Sequence, residues 1–389
     1  MPRARSSRVQ VKPELLRWAR RRSRLDSDVL VRRFRRLADW ERGEARPTLK
    51  QLERFAKATR TPLRHFFLPE PPLERVPIPD SRGGNRRLEH PTPDLLDTLD
   101  ICQQRQQWYR DFVRSQGDAP VRFVGSAALP SDIEATATAI RRTLGFEIEE
   151  RRKMPTWSEA LRRLIEQAEA LGVLVMINGV VGNNNYRRLD PDEFRGIALA
   201  DNFAPLVFIN GADAKAAQIF TLAHELAHIS IGESALSDVG PAVAPAHEVE
   251  RWCSEVAAEL LVPLAALRAE YQGGEELRGA LDRLSRRFKV STLVILRRIH
   301  DAGGLTRDRF RQAYQQELER LRAVPRGSGG NFYRTQAVRV GKRFARALVI
   351  SALEGQTPHR DAFRLLGVSK LATLREFGNR LGVLDRIPA

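Results

Sequence analysis

The stretch AKAAQIFTLAHELAHIS, residues 214–230, constrains this chain more than any other. Ile219, Phe220, Leu222, Leu226 and Ile229 make it apolar on most of its circumference, as a helix buried inside a core would be. Yet it carries His224, Glu225 and His228, and ionisable groups in such a helix are costly unless a metal or hydrogen bonds compensate them. Residues four apart share one helical face about one turn apart. Two imidazoles so placed can hold one Zn²⁺ with bonds of about 2.0–2.1 Å. Glu225 directly follows the first imidazole in the pattern H-E-x-x-H, the position of a metallopeptidase's general base. The structural alternative is a pair of core histidines satisfied by hydrogen bonds. Asp213 is expected to cap the helix.

A catalytic zinc usually takes three protein ligands and keeps one position open. Ile231 and Ser234 stand where the metzincin extension needs Gly and His, so that class is excluded. The next candidates, His247, Glu248, Glu250, Glu255 and Glu259, lie in HEVERWCSEVAAELLVP, a predicted second helix ending at Pro263. Glu250 shares a face with Ser254 and Ala257, and Ser254 is placed to hydrogen-bond a ligand. Cys253 is a further ligand candidate but reads as a small core residue. Upstream, Leu171–Ile177 (with GVLVMI), Gly196–Leu199 and Leu206–Ile209 are β-type runs that predict a small sheet, the last ended by Asn210-Gly211.

The rest of the 389 residues exceeds one compact core, so two to four domains are expected. No apolar run reaches the roughly 18–20 residues of a membrane span. The opening MPRARSSRVQVK is basic without the apolar stretch of a secretory signal. Cys102 and Cys253 cannot build a disulfide framework. A cytoplasmic protein with no membrane partner is expected. Residues 1–70 hold 20 Lys+Arg against 8 Asp+Glu, much of the chain's net charge of +17. Such a surplus suits an anionic partner such as nucleic acid, or an Arg-rich solvated surface.

In that basic segment Leu15, Leu16 and Ala19 repeat at helical spacing behind Pro13, and a short apolar run follows at Val29–Phe34. Gly43 suits a helix C-terminus, and Thr48 with Gln51 suits a capping box. These signals predict a helix-turn-helix bundle, and WERGEARPTLKQLERFAK resembles the end of the Xre (Cro/repressor-like) DNA-binding domain. Between Leu25 and Trp40 there is little room for both a scaffold helix and a full recognition helix. The expectation is a degenerate domain whose Arg32, Arg33, Arg35, Arg36 and Arg42 meet phosphates rather than base edges, or one that docks a protein. A Pro/Gly-rich linker follows, then a long helix from about Asp94 to Ser115.

From about Asp94 to Pro263 the chain resembles the ImmA/IrrE metallopeptidase family in EFRGIALADNFAPLVFING, FTLAHELAHISIG and ERWCSEVAAELLVP. The resemblance implies Glu250 as the third zinc ligand beside His224 and His228, with Glu225 as base. It departs from the family's usual residues at Cys253, Ser254 and Val256. It further implies an endopeptidase that cleaves a repressor or antitoxin, itself encoded nearby, in a stress response or mobile element. The alternative is an Xre-type DNA-binding regulator or toxin–antitoxin component with slow or absent proteolysis.

The predicted fold is multidomain and mainly α with a small α+β core. It has a helix-turn-helix bundle (1–70), a linker (71–93) and a zincin-like peptidase with a short twisted sheet (94–270). A helix-turn-helix-like segment (271–323, turn at Lys289–Ser291), a second linker (324–331) and a helical C-terminal region (332–389) follow.

Overall fold

The computed structural model describes residues 8–79, 91–237, 248–323 and 332–383. The second linker, 324–331, lies outside these residues, as do His247 and part of the first linker. The chain divides into two compact units: Met1–Pro77 with Leu88–Asp97, and Ile78–Arg87 with Thr98–Ala389.

The first unit is a helical bundle of α1 (Pro13–Ser23), α2 (Ser27–Arg33), α3 (Leu37–Arg42) and α4 (Leu49–Thr59), followed by a 3₁₀ turn at Leu63–Phe67. Its core is aromatic: Phe34 and Trp40 both meet the edge of Phe55, at 5.4 and 6.5 Å between ring centres. The local signals act as expected. Pro13 opens α1, and Gly43 ends α3 in the left-handed region. Thr48 and Gln51 close a reciprocal capping box on α4. Only seven and six residues form α2 and α3, and the apolar run Val29–Phe34 is split, with Leu30 and Phe34 buried while Val29 and Val31 face solvent.

In the second unit α5 (Pro93–Ser115) continues from the first unit's last residues, and α6 (Ile133–Leu144), α7 (Ile148–Lys153) and α8 (Trp157–Ala170) lead into the sheet. The strands are β1 (Leu174–Asn178), the hairpin β2 (Val180–Val181) and β3 (Asn184–Arg188), then β4 (Gly196–Leu199) and β5 (Leu206–Asn210). Next come α9 (Lys215–Ile231), which is the H-E-x-x-H helix, and β6 (Ala235–Ser237). The four-stranded sheet has the order β1-β5-β4-β6; β1 and β5 are parallel, and β4 is antiparallel to both of its neighbours. Strands β1, β4 and β5 are buried along their whole length, which explains their near-continuous apolar sequence.

Asp213 does not cap α9. The cap position is Ala214, and the Asp213 carboxylate is taken by the Arg195 guanidinium. The helix start is instead tied down by the Gln218 amide, which donates to the carbonyls of Gly211 (3.2 Å) and Asp213 (2.6 Å).

After β6 come α10 (Glu248–Leu261), α11 (Leu264–Glu270), α12 (Leu277–Phe288), α13 (Thr292–Asp301) and α14 (Arg307–Ala323). Helix α10 packs on α9 and α6. Its C-terminal carbonyls, which have no partner within the helix, are met by arginines. Arg141 donates to Glu259 and Leu260, Arg151 to Leu261, and Arg298 to Val262, at 2.7–3.3 Å. The turn between α12 and α13 places Lys289 in the left-handed region, where the expected turn lies. Leu284, Phe288, Val294 and Ile295 of this helix pair belong to the same apolar cluster as α9 and α10, so residues on both sides of position 270 build one core.

The C-terminal region forms α15 (Phe332–Val340), α16 (Lys342–Leu353), α17 (His359–Leu366) and α18 (Leu371–Arg380). Helices α15 and α16 pack against β1, the strand at one end of the sheet. Helices α15 and α16 are separated at Gly341 (φ +78°), where any Cβ would stand 2.7 Å from the Val175 carbonyl oxygen.

Candidate metal centre

Helix α9 presents His224 and His228 on one face, and α10 brings Glu250 from its first turn against them. His224 Nε2 lies 3.2 Å from His228 Nε2 and 3.2 Å from Glu250 Oε2, and His228 Nε2 lies 3.0 Å from Glu250 Oε1. A tetrahedral ion with bonds near 2.0–2.1 Å would hold its donors roughly 3.2–3.4 Å apart, so this spacing fits a zinc-sized cation. Among the described residues these three form the only group of His, Cys, Asp and Glu side chains able to hold a metal ion.

The chemistry of the donors agrees. Two ring nitrogens facing each other and one carboxylate converge in a buried place, and Glu250 Oε1 makes no aligned hydrogen bond there. Burial alone would raise the Glu250 pKa, but the facing imidazoles of His224 and His228 hold it well below the usual carboxylate range. Burial also lowers the His228 pKa, favouring the neutral imidazole that a metal requires. Ser254 Oγ lies 3.4 Å from His224 Nδ1, on the far side of the ring from the convergence point.

Glu225 stands beside this set without joining it. It is fully buried, and neither carboxylate oxygen has a hydrogen-bond partner. Burial pushes its pKa up to about 8; His224 opposes that rise and the Glu250 charge adds to it. The Ser237 hydroxyl is close enough to favour the ionised form without completing a hydrogen bond.

The other expected ligands are elsewhere. Glu248 is exposed, Glu255 is half-buried, and Glu259 is held by Arg298 and the Leu264 amide. Cys253 is a packed core residue whose thiol pKa is raised well above normal by burial. Two residues of the site carried no role in the sequence reading. Gly196, first residue of β4, packs against Glu225: a Cβ there would fall 2.2 Å from Glu225 Oε1. Ser237 is its partner in the β4–β6 register. A glycine opening a β-type run is the available signal for such a close approach.

In the first unit Arg32, Arg33 and Arg35 are exposed, with no ion pair among the described residues. Arg36 and Arg42 differ: Arg36 pairs with Asp39 at 3.2 Å, and Arg42 with Asp39 and Glu44 at 2.9 and 2.8 Å.

Residues 168–300 match the peptidase family M78, IrrE N-terminal-like domain. This IrrE-like segment covers about a third of the chain and includes the sheet, α9, α10 and the α12–α13 pair. The chain therefore carries a peptidase-type domain with a His-His-Glu group able to bind metal. Residues 340–380, which span α16 to α18, match a domain of unknown function, DUF8813. No curated protein matches the chain. Among the described residues no helix is long and apolar enough to cross a membrane.

Proposed function

We propose that this chain is a zinc-dependent endopeptidase that cleaves a regulatory protein of repressor or antitoxin type, and so controls gene expression. The observation that carries this reading is the convergence of His224, His228 and Glu250 donors at 3.0–3.2 Å, with the Glu225 carboxylate unpartnered beside them.

His224, His228 and Glu250 would hold the ion, and Ser254 would orient the His224 ring. Zinc, when bound, supplies a Lewis acid that polarises the scissile carbonyl and acidifies water. Glu225 accepts the proton of the attacking water and returns it to the leaving amine, a role its place beside the three donors and its lack of competing partners suit. A purely structural zinc site would have no use for a buried, unpartnered carboxylate at this position.

The test uses the products of neighbouring genes as candidate substrates, incubated with the full chain with and without zinc. Cleavage is expected only with zinc and only with Glu225 intact; cleavage by the Glu225→Gln protein at the normal rate would sink the proposal. A second reading, a DNA-binding regulator, draws on the exposed Arg32, Arg33 and Arg35 of the Xre-like bundle. In that reading proteolysis is slow or absent.

A further inference from the structure

A hollow of about 220 Å³ opens in the second unit, and none of His224, Glu225, His228 and Glu250 lines it. Its walls are apolar: Leu161 and Ile165 of α8, Val175 and Ile177 of β1, and Ala337 and Val338 of α15. Val338 is 40% exposed, so apolar surface faces solvent here. The charged groups around the hollow are Arg162, Glu166, Lys215 and Lys342. Glu166 pairs with Arg162 at 2.8 Å and lies 3.6 Å from Lys342. Lys215 differs: its ammonium donates to Gln218 Oε1 at 3.1 Å and meets no carboxylate among the described residues. The acid nearest in sequence, Asp213, is taken by Arg195.

We propose that this hollow binds a small amphipathic monocarboxylate, with an apolar body about one aromatic ring in size against the walls and its carboxylate on Lys215. The site is independent of the peptidase reading above. Its occupant would touch both the start of the helix that carries His224 and the helix α15, which lies beyond the IrrE-like segment.

Size, charge and lining set the ligand class together. An apolar cavity of about 150 Å³ takes up benzene, so this hollow has room for one ring and a short linker. Lys215 is the first residue of α9, whose cap position, Ala214, offers no side-chain hydrogen bond. A cation at a helix N-terminus is repelled by the helix dipole, whereas an anion there is favoured, so a bound carboxylate would relieve an unfavourable charge. An uncharged apolar molecule would use the walls and leave Lys215 as it is. An inorganic anion would meet Lys215 and leave the apolar walls wet. A polyanion would find a single cation without a carboxylate, since Arg162 and Lys342 already share Glu166.

The test is equilibrium dialysis of the full chain against phenylacetate, with 2-phenylethanol as the uncharged analogue and acetate as the headgroup alone. Phenylacetate should bind saturably, one per chain, and more tightly than either control. Lys215→Met keeps an apolar stem at an exposed position and removes the charge. It should weaken phenylacetate by about tenfold, the scale of a charge-assisted hydrogen bond, and leave 2-phenylethanol unchanged. Val338→Trp should fill the hollow from its exposed side and abolish binding of both. Because a carboxylate can also bind zinc, chelator-treated and zinc-loaded protein should bind phenylacetate alike. The proposal is overturned by absence of saturable binding, by equal phenylacetate affinity in Lys215→Met, by binding that survives Val338→Trp, or by binding that requires zinc.

Discussion

A methyl group at Gly196 would collide with Glu225, 2.2 Å from its Oε1 and 2.7 Å from its Cδ. Gly196→Ala should therefore swing the carboxylate away while leaving His224, His228 and Glu250 in place. The expected result is unchanged zinc content with cleavage reduced by about 10²-fold or more, within the range of a lost general base. Normal turnover in that variant would show that the carboxylate works from another position. Glu225 and Glu250 can be told apart in the same way. Glu225→Gln should keep zinc and lose cleavage by roughly 10²–10⁴-fold, whereas Glu250→Gln should lose zinc, since a neutral amide is a poor ligand. Metal analysis that finds equal zinc in both would remove Glu250 from the ligand set. At this scale His224, Glu225 and His228 were legible because their spacing is itself the chemistry. Glu250 took its role from resemblance, because helix periodicity alone left five carboxylate or imidazole candidates open. Gly196 and Ser237 were silent, since a contact across two strands and a helix leaves no local pattern.

Helix α10 must hold Glu250 at one end, and its other end is fixed by buried arginines. Arg298 pairs with Glu259 and also donates to the Val262 carbonyl at 2.9 Å. Arg298→Met would leave Glu259 buried without its partner charge, and the loss should be about 3–5 kcal/mol. Chemical denaturation of the two proteins measures this, and a loss under about 1 kcal/mol would mean the surroundings relax around the orphaned carboxylate. The bundle of α1–α4 makes its own prediction. If Arg32, Arg33 and Arg35 contact phosphates, replacing all three by Ala should weaken binding to unrelated duplexes alike. It should also reduce the salt slope of log K by roughly 2–3, at about 0.9 per phosphate contact. A variant that loses one sequence and keeps others would reveal base readout. Arg36 and Arg42 should matter less, because Asp39 and Glu44 already neutralise them. Caps and turns such as Thr48–Gln51, Gly43 and Lys289 could be read in advance because they are local. Asp213 had a better partner in Arg195, 18 positions back, which sequence proximity to α9 concealed.

Across the whole molecule, the region after residue 340 is tied to the end of α8 through Glu169. Its carboxylate accepts the Arg343 amide at 3.1 Å, and the Arg343 guanidinium donates to the Glu169 carbonyl at 3.1 Å. Burial pushes the Glu169 pKa from 4.5 up to about 7, against the pull of Arg343 and Lys342. A group whose folded pKa is raised favours the folded state most when both states are protonated. Its contribution is thus full below pH 4.5 and falls away as pH rises to about 7. Glu169→Gln should therefore flatten the stability profile across that window and stabilise the protein at pH 8 by roughly 1–3 kcal/mol. Thermal melts of both proteins at pH 5 and pH 8 measure it; an identical pH dependence would assign the slope to other groups.

The sequence by itself determined the buried helix with its two imidazoles and the glutamate between them, the apolar runs that become β1, β4 and β5, and the ends of most helices. Each of these is written within a few turns of chain, where periodicity and capping act. Tertiary structure decided which carboxylate of α10 faces the histidines, that β4 must begin with a residue lacking a side chain, and that β6 pairs with β4 beside Glu225. It also decided that the helix-turn-helix-like α12–α13 pair joins the same core: Phe288, Val294 and Ile295 are buried in the cluster that supports α9. These outcomes depend on contacts between segments tens of residues apart, and close packing selects among alternatives that local chemistry leaves nearly equal.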